Sequence, residues 1–281
     1  MTAYSDTKNE FNPKVSIITP SYNQGKFIKR TIESVLSQSY SNIEYIVMDG
    51  GSTDETVNIL KSYGEKIIWV SEKDNGQTDA INKGIKVSTG DIIAYLNSDD
   101  VYLPNTISKI VNEFNEYKDV DFLYGDFWGI DKNDKILSKV KTIPFDNNIL
   151  IYDANFICQP ASFYRKRLFD TIGIFDDSLH FLMDYEFFLR AAKRRCKIQL
   201  YPDYLSAIRF HDDCKTLSDG VHPWEKEKVK IKQAYIRKKA NHPSALKILS
   251  LIYRFKRYFL LLLRGRLDVA NLKLAYKLRK I

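Results

Sequence analysis

The amino-acid sequence predicts an α/β fold in which helices flank a mostly parallel sheet. Short apolar runs rich in β-branched residues alternate with segments of helical periodicity, turn residues separate the two, and several of the apolar runs end on an acid. The chain has 281 residues and 44% hydrophobic side chains, enough to bury a full core. Because parallel strands end at one edge of a sheet, the residues that follow them are expected to lie close together.

The first unit begins at Val15, where a β-branched run predicts a buried strand that Pro20 is expected to break. The second unit is a short apolar strand ending at Asp49, and Ser52 and Glu55 then have the spacing of a capping box. Both units therefore have the order strand, turn, helix. The apolar residues at helical spacing in the first helix are Phe27, Ile28, Ile32, Val35 and Leu36.

A third strand is predicted at 67–70, followed by a turn at 74–76 and a helix over 78–87. Thr89-Gly90 is expected to end that helix. A fourth apolar run, Ile92 to Leu96, predicts another buried strand.

Two adjacent carboxylates, Asp99 and Asp100, follow the fourth strand. Acids at the end of a buried strand suit Mg2+ or Mn2+ and, through the metal, a diphosphate. A structural alternative is that Asp100 and Pro104 open the next helix.

Four stretches together resemble the family 2 glycosyltransferases, which have the GT-A fold: Val15–Asn23, Asp49–Thr56, Asp74–Gln77 and Asn97–Asp100. The similarity extends over about residues 14–217. It implies an inverting, metal-dependent transfer of a sugar from a nucleotide diphosphate sugar to a hydroxyl acceptor. The implied acceptor is a glycan or lipid-linked glycan of bacterial cell-surface polysaccharide synthesis, such as O-antigen, capsule or exopolysaccharide.

The resemblance also implies which residues bind the donor. Asp49 is expected near the base or ribose, and Asp99 at the metal. Two positions depart from the family pattern, because Gly50 stands where a second acid is common and Asn97 stands where the metal motif usually begins with Asp. The implied nucleotide-sugar-binding residues are Pro20, Tyr22, Asn23, Asp49, Gly76, Gln77, Asp79, Asn97, Ser98 and Asp99.

The reaction needs a base for the acceptor hydroxyl, and the resemblance assigns this role to Asp184. Apolar neighbours such as Phe187 and Phe188 would partly desolvate its carboxylate and raise its pKa. Alternatively, Asp184 caps the helix, and Glu186 and Arg190 form an ordinary i, i+4 pair.

Later loops supply the remaining predicted contacts. Gln159 is expected to bind the acceptor, although its Gln-Pro pair could also form a turn without a ligand. The resemblance offers His211 as a metal ligand beside the two acids after the fourth strand, against a structural histidine. Arg209 and Lys215 are expected to contact the diphosphate, or else to pair with neighbouring acids.

One catalytic domain at 14–220 and a tail at 221–281 are predicted. The domain divides into a nucleotide-sugar-binding half, 14–103, and an acceptor-binding half, 104–220. The three cysteines lack metal-ligand spacing, and no apolar leader segment is visible near the start of the chain. We therefore expect a cytoplasmic protein.

Positive charge is concentrated in the tail. Residues 221–281 hold 17 Lys and Arg against 3 Asp and Glu, so the first 220 residues are acidic although the net charge is +8. Helices are predicted at 224–241, 245–263 and 267–278. Their mixed apolar and basic residues predict binding to the inner face of the cytoplasmic membrane. The run at 258–263 is far short of the roughly 20 residues that span a bilayer.

Several alternatives stay open. The tail could instead pack on the catalytic domain or on a second copy of the chain. No nucleic-acid partner is expected, since the catalytic half is acidic and lacks a nucleic-acid motif. A nucleotidyltransferase acting on a sugar phosphate would use a similar sheet, but Tyr22–Lys26 makes a poor Gly-rich phosphate loop. A non-catalytic nucleotide-sugar-binding module is the third possibility.

Overall fold

Nine strands form one mixed sheet among the residues that the computed structural model describes, which are 12–212, 214, 224–236 and 243–265. The strands are β1 (Val15–Ser21), β2 (Ile43–Asp49), β3 (Ile68–Ser71), β4 (Ile92–Tyr95), β5 (Val101–Tyr102), β6 (Phe122–Asp131), β7 (Ile136–Val140), β8 (Ser162–Arg165) and β9 (Ile198–Phe210). The helices are α1 (Ile28–Leu36), α2 (Thr56–Ser62), α3 (Gln77–Val87), α4 (Thr106–Glu116), α5 (Asn147–Tyr152), α6 (Lys166–Ile172), α7 (Met183–Lys193), α8 (Trp224–Tyr235) and α9 (Pro243–Leu263).

The strand order is β3-β2-β1-β4-β8-β6-β9-β5, with β7 beside β6. The first four strands in that order run parallel, which confirms the α/β prediction for this part of the chain. β8 is antiparallel to both β4 and β6, and β6 runs parallel to β9. β2 and β4 are the two neighbours of β1 in the sheet, so the connections after β1 lead to opposite sides of this strand. A crevice therefore opens outside the carboxyl ends of β1 and β4.

The prediction that Pro20 breaks the first strand is wrong, because β1 continues to Ser21. The Ser21 carbonyl accepts a hydrogen bond from Gly50 on the β2 side, so the Pro20 nitrogen faces the β4 side. β4 has already ended there, since its last residue, Tyr95, pairs with Ile18. The N–H that proline lacks is not needed at this position.

The predicted capping box at the start of α2 is also wrong, and the alternative in which Asp100 opens a helix is not observed. Ser52 does not cap α2, which begins at Thr56, where the backbone N–H donates to Asp54 Oδ1 at 2.9 Å. Asp100 does not open α4, because the short strand β5 intervenes and α4 begins only after Asn105. In both cases the expected capping residue is used for another hydrogen bond near the crevice.

Two hydrophobic layers cover the faces of the sheet. Ile17 and Ile18 of β1 point to opposite faces, as the two-residue period of a strand requires. Ile17 packs with α1, α2 and α4, and Ile18 belongs to the layer of α3, α6 and α7. In the second layer the Phe187 ring lies 4.5 Å from Phe175 and 5.5 Å from Tyr164, measured between centroids. The first turn of α7 therefore lies beside an aromatic cluster.

The two described helices of the tail pack on the domain. Ile231 of α8 is 3% exposed within the second layer, and Leu261 of α9 packs with Ile143 and Ile149. These contacts support the packing alternative for the tail. None of the helices that the structure describes is both long enough and apolar enough to cross a bilayer. The helix predicted at 267–278 lies outside the described residues.

Candidate functional site

Two loops at the carboxyl edge of the sheet are joined by hydrogen bonds. The Asn23 N–H after β1 donates to Ser52 Oγ at 2.7 Å, and the Thr53 N–H after β2 donates to Asn23 Oδ1 at 2.9 Å. Asn23 adopts a left-handed backbone with φ of 52°, which Asn tolerates better than most residues. Tyr22 beside it is 60% exposed, whereas Pro20 is buried in the strand. The joined loops form one wall of the crevice and present the Tyr22 ring to solvent.

Asp49 ends β2 and is 2% exposed. Its Oδ2 accepts from the Ser52 N–H at 2.9 Å and from the Ser71 hydroxyl at 2.6 Å, and its Oδ1 accepts from the Ser52 hydroxyl. Gly51 adds a longer contact of 3.2 Å. The carboxylate thus holds the turn after β2 against the end of β3.

Gly50, the departure from the family pattern in this turn, has a steric explanation. A Cβ built on Gly50 would lie 2.8 Å from Asp74 Oδ2. The carboxylate of Asp74 therefore occupies the space into which a side chain at position 50 would extend. Sequence analysis did not find this contact, because 24 residues separate the two positions along the chain.

The start of α3 forms the next wall. Asp74 Oδ1 accepts from the Gly76 N–H at 2.8 Å, and Asp79 Oδ2 accepts from the Asn75 N–H at 3.0 Å. Gly76 has φ of 105°, which an L side chain rarely adopts. Asp79 also pairs with Lys83 at 3.3 Å. The turn is ordered by its own side chains, so that Gln77 projects from the first position of α3.

An amide network crosses the crevice between the two predicted halves of the domain. Gln77 Nε2 donates to Asn97 Oδ1 at 2.7 Å, and Asn97 Nδ2 donates to Gln159 Oε1 at 3.2 Å. Gln159 Nε2 in turn donates to the Tyr95 carbonyl at 2.6 Å. Asn97, the second departure from the family pattern, thereby connects α3 with the loop before β8. A carboxylate at position 97 could not donate to Gln159.

Asp99 and His211 meet on the far side of this network. His211 Nε2 lies 3.1 Å from Asp99 Oδ2, and the Asp99 side chain is 21% exposed. His211 Nδ1 is buried and has no hydrogen-bond partner among the described residues. One carboxylate oxygen and one imidazole nitrogen are a donor pair that suits Mn2+.

Asp100 points away from this pair. Its Oδ1 accepts from the Arg209 N–H at 3.0 Å and its Oδ2 accepts from Asn97 Nδ2 at 3.2 Å. Burial, together with the negative charge of Asp99, raises the pKa of Asp100 well above its usual range. The structure thus brings Asp99 and His211 together but turns Asp100, predicted as a third ligand, into the interior. Among the described residues no three acidic, His or Cys side chains are grouped as a metal site.

Arg209 lies beneath the Asp99 loop, whereas the sequence predicted a phosphate contact for it. Its side chain is fully buried, with Nε donating to the Asp99 carbonyl at 2.8 Å and Nη1 pairing with Asp134 at 2.6 Å. This placement gives Arg209 a supporting role for the loop. Lys215, the other predicted phosphate contact, lies outside the described residues.

Thr31 is a supporting residue that sequence analysis missed. Its buried hydroxyl lies 2.9 Å from the Ser98 carbonyl and 2.8 Å from the Asp100 carbonyl, so it holds the loop from the α1 side. The available signal was a polar residue on the otherwise apolar inner stripe of α1, beside Ile28 and Ile32.

Asp184 lies in the first turn of α7 and is partly exposed. Burial raises its pKa to about 6, although its Oδ1 accepts a 2.7 Å hydrogen bond from the Tyr185 N–H. Electrostatic interaction with Asp100 and with Asp184 adds to the effect of burial in raising the pKa values of Tyr95 and Cys158. Asp184 therefore lies within electrostatic range of the end of β4, after which the Asp99 loop begins. A carboxylate with this pKa is deprotonated at neutral pH and is basic enough to accept a proton.

The sequence and the fold both have matches among known proteins. A family model described as glycosyl transferase family 2 matches residues 16–173. An uncharacterised glycosyltransferase of Rickettsia prowazekii is 35% identical over 193 residues, which are 65% of this chain and 60% of the relative. A PGL/p-HBAD biosynthesis glycosyltransferase of Mycobacterium tuberculosis is 31% identical over 194 residues, 67% of this chain and 73% of the relative. The chain thus spans about three fifths of the Rickettsia relative.

Two solved structures share the fold. S. aureus TarS 1–349, in complex with UDP-GlcNAc, superposes with a TM-score of 0.65 at 20% identity over 88% of this chain and 72% of that chain. The mannosyltransferase PcManGT of Pyrobaculum calidifontis, in complex with GDP-Man and Mn2+, superposes with a TM-score of 0.55 at 16% identity over 95% of this chain and 79% of that chain. The likeness confirms the predicted GT-A fold.

Proposed function

Because the chain belongs to glycosyl transferase family 2, we propose that it is an inverting, metal-dependent glycosyltransferase of bacterial cell-surface polysaccharide synthesis. Its substrates would be a nucleotide diphosphate sugar and a hydroxyl group on a glycan or lipid-linked glycan. The observation that carries the proposal is the partly exposed carboxylate of Asp184, whose pKa is raised to about 6 by burial in the first turn of α7.

The reaction is a single displacement. Asp184 accepts the proton of the acceptor hydroxyl while the acceptor oxygen bonds to the anomeric carbon of the sugar. The bond from that carbon to the diphosphate breaks, and the nucleoside diphosphate leaves with the electron pair. Because the acceptor attacks from the face opposite the leaving group, the configuration at the anomeric carbon inverts.

The donor would lie along the carboxyl edge of β1, β2 and β4. The exposed ring of Tyr22 offers a flat surface for a nucleobase, and the ordered turn around Gly76 and Asp79 lies at the same edge of the sheet, beside the turn after β2. Asp49 would fix the turn after β2 that borders this pocket. The Gln77–Asn97 amide pair and the backbone at Ser98 are then available to the ribose and sugar hydroxyls.

Mn2+ or Mg2+ would be held by Asp99 and His211 together with the diphosphate oxygens of the donor. When bound, the cation neutralises charge on the departing diphosphate. PcManGT, a protein of the same fold, is complexed with Mn2+, which supports the proposed use of a divalent cation. Gln159, which connects the Asn97 amide with the Tyr95 carbonyl, would position the acceptor beside Asp184.

The outward face of α9 would hold the enzyme peripherally on an anionic membrane surface, where a lipid-linked acceptor is presented. The exposed Lys247 beside this face would complement anionic headgroups. The face opposite the domain contact is a stripe of exposed apolar side chains at Ile248, Ile252, Phe255, Phe259 and Leu262.

The function is tested by incubating the full chain with a panel of UDP-, GDP- and dTDP-sugars and Mn2+ or Mg2+. We expect release of nucleoside diphosphate from one donor, abolished by Asp99→Ala. Asp184→Asn should lower kcat by about 100-fold or more while donor affinity stays within about twofold, because a general base acts on the acceptor alone. The exposed Asp177→Asn is the matched control and should keep full activity.

Two outcomes would overturn this proposal. Pyrophosphate release from a nucleoside triphosphate would identify a nucleotidyltransferase. Donor binding without any release, in a folded sample given acceptor glycans, would identify a non-catalytic binding module.

A further inference from the structure

We propose that Glu227 of α8 is a positioning residue for the transfer reaction, because its carboxylate holds the backbone that places Asp184 in the crevice. The inference rests on the proposed role of Asp184 as the base. In this proposal the tail contributes to catalysis through α8 as well as to membrane binding through α9.

The Glu227 carboxylate accepts three consecutive backbone N–H groups immediately before α7. Oε1 accepts from His180 at 2.8 Å, and Oε2 accepts from Phe181 at 3.0 Å and from Leu182 at 2.9 Å. Successive N–H groups that converge on one anion form a concave binding site in which the hydrogen bonds are charge-assisted. α7 begins at the next residue, Met183, and the conformation of 180–182 therefore determines where its first turn points.

The same loop is held from its other side by the donor-binding half. The Thr78 hydroxyl of α3 lies 2.7 Å from the Leu179 carbonyl and 2.6 Å from Met183 Sδ. The segment before α7 is thus fixed between α3 and α8. Removing Glu227 would release one of its two anchors.

α8 is itself docked on α7 by one face. Glu227, Ile231 and Tyr235 recur every four residues, so they lie on the same side of the helix. Ile231 is buried in the layer that contains Tyr185, and the Tyr235 hydroxyl donates to Glu186 Oε1 at 2.6 Å. The carboxylate of Glu227 is therefore presented to the loop by a helix packed along the first two turns of α7.

Glu227 also interacts electrostatically with the carboxylate of Asp184. Among the described residues, the titratable side chains that interact with Asp184 include Tyr95 of β4, Tyr164 of β8, Cys158 and Glu227. Burial raises the pKa values of the two tyrosines and the cysteine far above neutrality, so they are uncharged. The negative charge of Glu227 is a secondary cause, after burial, of the raised pKa of Asp184.

The first test uses amide hydrogen exchange on the full chain without ligand. We expect exchange at His180, Phe181 and Leu182 to be about tenfold faster in Glu227→Ala than in the wild type. Glu225→Ala removes the same charge from an exposed position of the same helix and should leave exchange at these amides unchanged. Unchanged exchange in Glu227→Ala would overturn the inference and leave the proposed function standing.

The second test uses the donor that the panel identifies. Glu227→Gln should lower kcat about tenfold with donor KM within about twofold, and it should move the acid limb of the kcat profile, expected near pH 6, to lower pH. Glu227→Asp, which keeps the charge, should restore the position of the limb. A limb that does not move, or equal losses in Glu225→Gln, would assign Glu227 a structural role only. A wild-type chain that releases no nucleoside diphosphate from any donor would overturn the proposed function itself.

Discussion

Asp184 is kept in an environment that disfavours its charged form. Burial raises its pKa from 3.8 to about 6 in the folded chain. Between these two values the folded chain binds more protons than the unfolded chain, so stability falls as pH rises through this window. At about 1.4 kcal/mol per pKa unit, burial of Asp184 lowers the free energy of unfolding above pH 6 by on the order of 3 kcal/mol. The same burial makes the carboxylate a better base.

Asp184→Asn should therefore stabilise the protein while it removes activity. We expect the variant to be more stable than the wild type by about 1–3 kcal/mol at about pH 8, because the amide carries no charge to desolvate. The difference should shrink as pH falls towards about 4, where the wild-type carboxyl is protonated. Urea unfolding at several pH values measures this. A stability difference that does not depend on pH, or the same gain in Asp177→Asn, would contradict the argument.

At the scale of single elements, α9 is fastened to the domain mainly by charge. Arg254 and Arg257 pair with Asp153 at 3.3 and 2.6 Å, and Lys256 pairs with Asp146 at 2.5 Å. The carboxylate of Asp153 is nearly fully buried, whereas the Arg254 side chain is 49% exposed. Apolar contact is confined to a few residues, among them the Tyr253 ring stacked 5.5 Å from Tyr152. Asp153 therefore anchors two arginines of α9, and the pair of Arg264 with both carboxylate oxygens of Asp126 adds a further link directly after the helix.

Asp153→Asn should loosen α9 without unfolding the sheet. The two arginines lose their shared anion but can move into water, so the cost is expected to be about 1–2 kcal/mol, less than for fully buried pairs. Limited trypsin digestion, mapped by mass spectrometry, should show cleavage after Arg254 and Arg257 several times faster than in the wild type. Asp177→Asn serves as the control. Equal cleavage rates in all three proteins would mean that the other contacts of α9, among them the Lys256–Asp146 pair and the apolar packing, hold the helix without Asp153.

Across the whole molecule, the acidic residues 1–220 are followed by a basic tail, in which the outward face of α9 is apolar. At an anionic surface this separation of charge would orient the molecule as proposed, because the basic tail is attracted while the acidic residues 1–220 are repelled. We expect the full chain to sediment with vesicles containing about 30 mol% anionic lipid, less with neutral vesicles, and less at high salt. The paired variant Phe255→Glu/Phe259→Glu should lose about tenfold or more in vesicle affinity.

Val87→Glu changes an equally exposed apolar residue elsewhere and should bind vesicles as the wild type does. A second copy of the chain is the competing occupant of the α9 face. Light scattering that shows a dimer dissociated by Phe255→Glu, together with no vesicle binding by the wild type, would overturn the membrane proposal.

Much of the fold and part of the site were predictable because their signals are local. Strand and helix periodicities are read within a few residues, and the acids that end β2 and follow β4 are adjacent to their strands. The raised pKa of Asp184 followed from Phe187 and Phe188, which are its neighbours in sequence as well as in space. Local propensity failed where tertiary contacts competed for the same groups. Ser52 bonds Asp49 instead of capping α2, and Pro20 continues a strand whose neighbour has ended.

The sequence by itself determined the alternation of elements and the family, and it indicated which carboxylates to consider for the site. Only the tertiary structure decided which of them meet, since their separations along the chain carry no geometric information. It brought Asp99 to His211, 112 residues away, and turned Asp100 inward. It also filled the space beside Gly50 with Asp74 and laid Glu227 against the start of α7. The physical reason is that buried polar groups must find partners, and packing of the whole chain determines which partners are within reach.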